Sequence, residues 1–161
     1  MTRVADTADL DRLEAALAAL SADLGDAHAA GRASLARALS GPHPAAYALL
    51  AQADAQAGGQ TLGAALFSPV YSTVVGSAGA YVSDLWVAPA ARGQGLGRQL
   101  LVAVAEVGGR LWGAGWLKLA VYDHSTAAQG FYRRLGFAPT RGVQEMRLEA
   151  AGLAALREEA G

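Results

Sequence analysis

The sequence predicts a mixed α/β fold: one mostly antiparallel sheet with helices on both faces. Three observations predict it. Apolar residues recur at helical spacing near the start, and they alternate at strand spacing through the middle. A glycine-rich turn then opens a strand–helix–strand–helix series. A chain of 161 residues, 53% apolar and 17% charged, is long and apolar enough to bury such a core as one domain spanning residues 1–161.

The elements follow in order. Residues 3–6 suggest a short first strand. Leu10, Leu13, Leu17, Leu20 and Leu24 step by three and four, which predicts an amphipathic helix that Thr7 caps and Gly25-Asp26 ends. Leu35 and Leu39 mark a shorter helix over 32–39, stopped by Ser40-Gly41-Pro42-His43-Pro44. Residues 45–53 and 60–70 read as strands joined by a turn at Gly58-Gly59. Gly76, Ser77 and Gly79 mark a loop, and a long strand over about 80–88 is closed by Pro89. A helix opens near Gly95 with Leu96, Leu100, Leu101, Val104 and Val107 on one side. Gly108 and Gly109 weaken it near its end, which is expected late in the segment. Leu117, Leu119 and Val121 alternate as a strand. Thr126 and Gln129 form a capping-box pattern for a helix that Gly136 stops. Residues from Phe137, and 142–149 in particular, read as final strands, with a short helix or loose tail over 150–161.

Composition removes several functions. A net charge of −1 offers no basic face for nucleic acid. With no cysteine there is no disulfide, thiolate metal site or cysteine nucleophile. His28, His43 and His124 lie too far apart to make a ligand-spaced pair, so no metal is expected. Nothing approaches the ~20 consecutive apolar residues of a membrane helix, and no apolar signal segment follows Met1-Thr2-Arg3. A cytoplasmic protein is expected.

The chemistry concentrates in Arg92-Gly93-Gln94-Gly95-Leu96-Gly97-Arg98, between a strand and a helix. Amides at a helix N-terminus have no intrahelical acceptor, and the helix dipole favours an anion there. Glycines let a phosphate approach the backbone, and Arg92 and Arg98 add positive charge. No Gly-Lys-Ser/Thr is present, which excludes a Walker A loop. A dinucleotide fingerprint would need a third glycine where Arg98 or Leu100 stands.

The run Leu85-Trp86-Val87-Ala88-Pro89-Ala90-Ala91-Arg92-Gly93-Gln94-Gly95-Leu96-Gly97 resembles the GNAT superfamily of acyl-CoA-dependent N-acetyltransferases. That family's signature is Arg/Gln-x-x-Gly-x-Gly/Ala after a strand ending in a Val-x-Pro-like turn. A second signature lies downstream, in Ser125-Thr126-Ala127-Ala128-Gln129-Gly130-Phe131-Tyr132-Arg133-Arg134-Leu135-Gly136-Phe137. Together the two motifs cover roughly residues 80–140. Ser40 to Pro44, Tyr71-Ser72-Thr73, Gly76, Gly79-Ala80-Tyr81 and Asp84-Leu85 are similar to the diamine acetyltransferase branch, of spermidine/spermine and thialysine type.

The resemblance implies a splayed sheet, acetyl-CoA as cofactor, a small-molecule amine as acceptor, direct transfer in a ternary complex, and a homodimer. It implies cofactor contacts from Leu85, Trp86, Val87, Arg92, Gly93, Gln94, Gly95, Leu96, Gly97, Arg98, Ser125, Ala128, Tyr132 and Arg134. Backbone groups of Val87 would bind the pantetheine arm, and the amides from Gln94 to Arg98 the pyrophosphate. Tyr132, one turn after Ala128, is the candidate general acid for the departing thiolate. The base is open. Where the branch reads Leu-Glu-Asp, this chain reads Val82-Ser83-Asp84, and Ser83 is no carboxylate. Alternation puts Asp84 on the face opposite Ser83; Asp84, Tyr81, His124 or a water chain could accept the proton. Ser125 stands where the family has Asn. These two serines leave a second reading, an acyl-CoA-binding or sensor module with impaired catalysis.

Overall fold

A computed structural model describes residues 1–53 and 59–158. They fall into two compact units, Met1–Tyr122 and Asp123 onward. The first unit holds a five-stranded sheet, in order β1 (Thr2–Val4), β2 (Tyr47–Gln52), β3 (Thr61–Ser72), β4 (Ser77–Val87), β5 (Leu117–Leu119). β1 to β4 run antiparallel to their neighbours, and β5 joins β4 in parallel. The unit's helices are α1 (Leu10–Leu24), α2 (Arg32–Leu39) and α3 (Leu96–Trp112). Gly58, half of the expected turn after β2, lies outside the described residues.

Side-chain alternation divides the core into two layers. Leu10, Leu13, Ala16 and Leu17 of α1 and Leu35 of α2 pack with Ala48, Leu50 and Ala64 of the sheet, and Leu66 and Trp86 border the cluster. On the opposite face α3 buries Leu100, Leu101, Val104 and Val107. There Trp112 stacks 5.1 Å from Tyr47 and 6.2 Å from Phe67. The mixed α/β architecture with helices on both faces of a mostly antiparallel sheet is therefore what the chain forms.

Several local expectations change. Asp6, not Thr7, caps the first helical turn: its side chain accepts from the Ala8 amide at 2.8 Å, while Asp9 accepts from the Asp6 amide at 3.0 Å. A carboxylate one residue earlier holds one donor of a capping box and Asp9 the other, and Thr7 becomes the first residue of a short 3-10 turn. β4 begins at Ser77, so Ser77 and Gly79 are strand rather than loop. Gly79 is required there because a Cβ would come within 2.5 Å of the Trp116 ring. The late end expected of α3 is found: it runs through Gly108 and Gly109 to Trp112, with Gly113 in the left-handed conformation. A Cβ at Gly108 would press on Ala114 and Trp112 at 3.1 Å, so packing of the helix end favours glycine.

The second unit contains α4 (Thr126–Arg134) and α5 (Ala150–Glu158). Ser125 is the N-cap of α4 and makes no side-chain cap bond, so the Thr126/Gln129 capping box is not formed; Gln129 donates instead to the Asp123 carbonyl at 3.0 Å. Gly136, at φ 92°, turns the chain after α4 as expected. The final strands over 137–149 are not formed among the described residues. Pro139 lacks a ladder donor, Gly142 is left-handed, and Val143, Met146 and Leu148 are exposed, so the segment has no buried apolar face to hold a strand.

Candidate active site

The last half of β4 is an open edge, and register explains how. β5 pairs only with Ala80, Tyr81 and Val82. β4 continues for five more residues, to Val87, with no strand paired to it on that side among the described residues. Which backbone groups face the opening follows from the β3 side. The Ala88 amide donates to the Leu62 carbonyl at 2.8 Å. In an antiparallel ladder alternate residues point the other way, so Val87 and Leu85 turn their N–H groups towards the open edge. Trp86 turns its backbone to β3 and its indole to the α1 layer, where Nε1 is buried without a partner among the described residues.

A bulge sets the opening. Phe67 pairs with Val82 but Leu66 with Asp84, so Ser83 is an extra residue on β4. Its Oγ donates to the Leu66 carbonyl at 3.2 Å. Simple alternation therefore does not run through Ser83. Directly paired residues share a face: Val82 lies with Phe67, whereas Asp84 lies with Leu66 on the α1 face. Asp84 is half-buried and Ser83 exposed.

The glycine turn continues from this edge. After a 3-10 turn at Pro89–Ala91, Gly93 (φ 77°) and Gly95 (φ 81°) are left-handed, and nothing lies within 4 Å of where a Cβ would stand on either. Gly95 is the N-cap of α3 and has no side chain to cap it. The first intrahelical bond runs from the Gln99 amide to the Gly95 carbonyl at 3.1 Å. The amides of Leu96, Gly97 and Arg98 are left at the positive end of the helix without an intrahelical acceptor. Arg98 is exposed. Gln94 folds its side chain onto the Ala90 carbonyl at 3.0 Å, which leaves the turn's backbone clear. Arg92 is tied down: Nε donates to the Val87 carbonyl at 2.9 Å, and Nη2 to Asp23 Oδ2 of α1 at 2.5 Å.

Gly63 on β3 brings these pieces close. It pairs with Val87. A Cβ there would lie 2.9 Å from Leu100 Cδ1, 3.0 Å from the Trp86 carbonyl oxygen and 3.4 Å from Leu96 Cδ2. Sequence reading missed this residue, although an isolated glycine inside a strand is a signal of close approach. It also missed Asp23 as the partner of Arg92, since no spacing rule links residues on different elements.

Within the second unit, Tyr132 sits on α4 between two rings. Phe131 is 5.1 Å away and Phe137 meets it edge-on at 5.6 Å. The turn at Gly136 folds Phe137 back, and the Phe137 amide donates to the Tyr132 carbonyl at 3.1 Å. Burial raises the Tyr132 phenol above its ordinary value. Its hydroxyl has no hydrogen-bond partner among the described residues. Ala128 and Ser125 are half-buried, and Arg134 and His124 exposed. No group of three or more metal-ligating side chains occurs among the described residues.

Comparison with known proteins gives the family. Among curated proteins, the chain is 35% identical over 107 residues to the thialysine N-epsilon-acetyltransferase of Mus musculus. The match covers 65% of this chain and 60% of that relative's own length. Among solved structures, an integron cassette protein from the mobile metagenome of V. cholerae superposes with a TM-score of 0.74 at 24% identity, covering 98% of this chain and 97% of the other. The aminoglycoside N-acetyltransferase AAC(6')-Iy, solved in complex with CoA, gives 0.72 at 20% identity, covering 93% and 95%. The sequence profile of the acetyltransferase (GNAT) family matches residues 15–137, well over half the chain. The chain therefore belongs to the acetyltransferase (GNAT) family.

Proposed function

We propose that this chain is an N-acetyltransferase that moves an acetyl group from acetyl-CoA directly to a primary amine of a small molecule. The observation that carries the reading is the continuity of two binding features. The open edge of β4, with the Leu85 and Val87 amides free to pair, leads straight into an uncapped helix N-terminus with room above two left-handed glycines. A strand edge suits the amide groups of a pantetheine arm, and unpaired helical amides suit a diphosphate. The residues present fit the cofactor.

Bound acetyl-CoA supplies an acetyl group activated as a thioester. The chain's own residues do the rest. Val87 N–H hydrogen-bonds the arm and fixes its depth along β4. The Leu96, Gly97 and Arg98 amides hold the diphosphate, with Gly93 and Gly95 admitting it. Tyr132 Oη, protonated at neutral pH, would be the group to give its proton to the sulfur as the C–S bond breaks. The attacking amine must give up a proton as the C–N bond forms. Asp84, on the α1 face of the bulged strand, is the carboxylate at hand, and Ser83 at the bulge can hydrogen-bond the amine. The 161 residues act as one acetyltransferase domain in this reading, and the diamine-branch resemblance carries a homodimer with it.

A thialysine acetyltransferase relative supports an amino-acid-like amine as acceptor. The test is release of free thiol from acetyl-CoA across thialysine, lysine, diamines, polyamines and aminoglycosides. Saturable, amine-dependent release with at least one acceptor is expected. Binding of CoA with no release for any amine would leave an acyl-CoA-binding module in its place.

A further inference from the structure

One guanidinium joins three parts of the first unit. Arg92 opens the glycine turn, its Nε holds the Val87 carbonyl at the end of β4, and its Nη2 holds Asp23 in the last turn of α1. A guanidinium has five N–H donors. These two bonds use two and leave three for an anion. Asp23 gains nothing from its own helix. A carboxylate near a helix C-terminus faces the negative end of the dipole, and α1 has no basic residue in its last turn to offset it. The pair contributes little to stability either, because Arg92 is 51% and Asp23 42% exposed. What the contact does supply is orientation, since it removes most of the rotamer freedom of the long side chain that opens the glycine turn.

We infer that Asp23 is a positioning residue for acyl-CoA: it holds the Arg92 guanidinium in place for the diphosphate and acts only through Arg92. This rests on the acetyl-CoA reading above. The inference fixes a sign that charge alone would reverse. Removing the Asp23 carboxylate takes a negative charge away from an anion site, which by itself tightens binding. Losing the pre-ordered arginine weakens it.

The experiment compares wild type, Asp23→Ala, Asp23→Glu, Arg92→Ala and the Asp23→Ala/Arg92→Ala double variant. Calorimetry with CoA gives affinity, and steady-state kinetics use acetyl-CoA and S-acetylpantetheine as donors. Asp23→Ala is expected to weaken CoA about three- to tenfold, the cost of ordering one long side chain, with kcat unchanged and Tm moved by no more than about 3 °C. S-acetylpantetheine, which has no diphosphate, is expected to lose nothing in kcat/KM. Asp23→Glu is expected to recover most of the affinity, and the double variant to bind no more weakly than Arg92→Ala. Unchanged or tighter binding of CoA by Asp23→Ala would overturn the inference, and so would an equal loss with both donors. A wild-type protein that gives no heat with CoA would overturn the acetyl-CoA reading itself, a different outcome from a wild type that binds and an Asp23→Ala that binds equally well.

Discussion

Gly63 and Leu100 touch because the strand residue has no side chain: a Cβ on Gly63 would stand 2.9 Å from Leu100 Cδ1. The Trp86 carbonyl at 3.0 Å, backbone of β4, closes the other side, and Leu100 is itself fully buried, so a new methyl presses on both β4 and the packing of α3. Gly63→Ala is expected to destabilise the fold by about 1–3 kcal/mol, the usual range for overpacking. It is also expected to weaken CoA, because the displaced elements carry Val87 and the helix N-terminus. Gly31→Ala is the control: its nearest neighbour is Glu14 at 3.9 Å, and only a small capping change is expected there. Urea midpoints and calorimetry on the two variants check this.

Tyr132→Phe keeps the ring that packs on Phe131 and Phe137 and removes only the hydroxyl. Turnover is expected to fall by about 10²-fold or more, with CoA affinity unchanged. The pH dependence has a definite sign. Burial raises the phenol, so the proton is present at neutral pH and is lost only as pH rises through the folded value, above about 10. The alkaline limb of kcat assigned to this residue is expected above that pH. A limb between about pH 7 and 9 that survives in Tyr132→Phe belongs to another group.

Asp9 is 2% exposed and accepts two hydrogen bonds from Arg3, both 2.5 Å. The Arg3 bonds come first in holding its carboxyl below the usual carboxylate range, with the Asp6 amide and Arg12 adding to them. The folded value is depressed, so this contribution is present above the unfolded value and is lost as pH falls through the folded one, in the region below about pH 4. Asp9→Asn is expected to cost about 1–3 kcal/mol at about pH 7. The gap to wild type is expected to close in strongly acidic solution. Denaturant titrations at neutral and acidic pH measure it.

Gly93 and Gly95 differ from Gly63 in that space is not the constraint. Both are left-handed, and no atom lies within 4 Å of where a Cβ would stand. Gly95→Ala is expected to cost about 1–2 kcal/mol from backbone conformation alone. Its effect on CoA is expected to exceed its effect on stability, because the new methyl stands in the space the diphosphate would enter. Comparing the CoA dissociation constant with the melting temperature of the same variant separates the two.

Periodicity made much of the fold legible. The leucine spacing of α1 and α3, and the apolar runs of β2, β3 and β4, each report a local geometry that one stretch of sequence encodes. The glycine turn was legible too, since left-handed backbone has few residues that adopt it readily. The bulge at Ser83 was not, because it is a mismatch between two strands and appears in neither alone. The Arg92–Asp23 pair was hidden for the same reason, as its members stand 69 positions apart. The expected strands after Phe137 show the converse. Alternation in 142–149 is a preference, and without a ladder partner or a buried face it does not become a strand. Asp6 displaced Thr7 as the cap because its carboxylate and that of Asp9 satisfy two amides reciprocally.

The most direct test of the central claim is a crystal structure of the chain with CoA. The diphosphate oxygens are expected about 3 Å from the Leu96, Gly97 and Arg98 amide nitrogens, with the arm hydrogen-bonded along Leu85 to Val87. A bound CoA lying elsewhere, with those amides facing only solvent, would contradict the account.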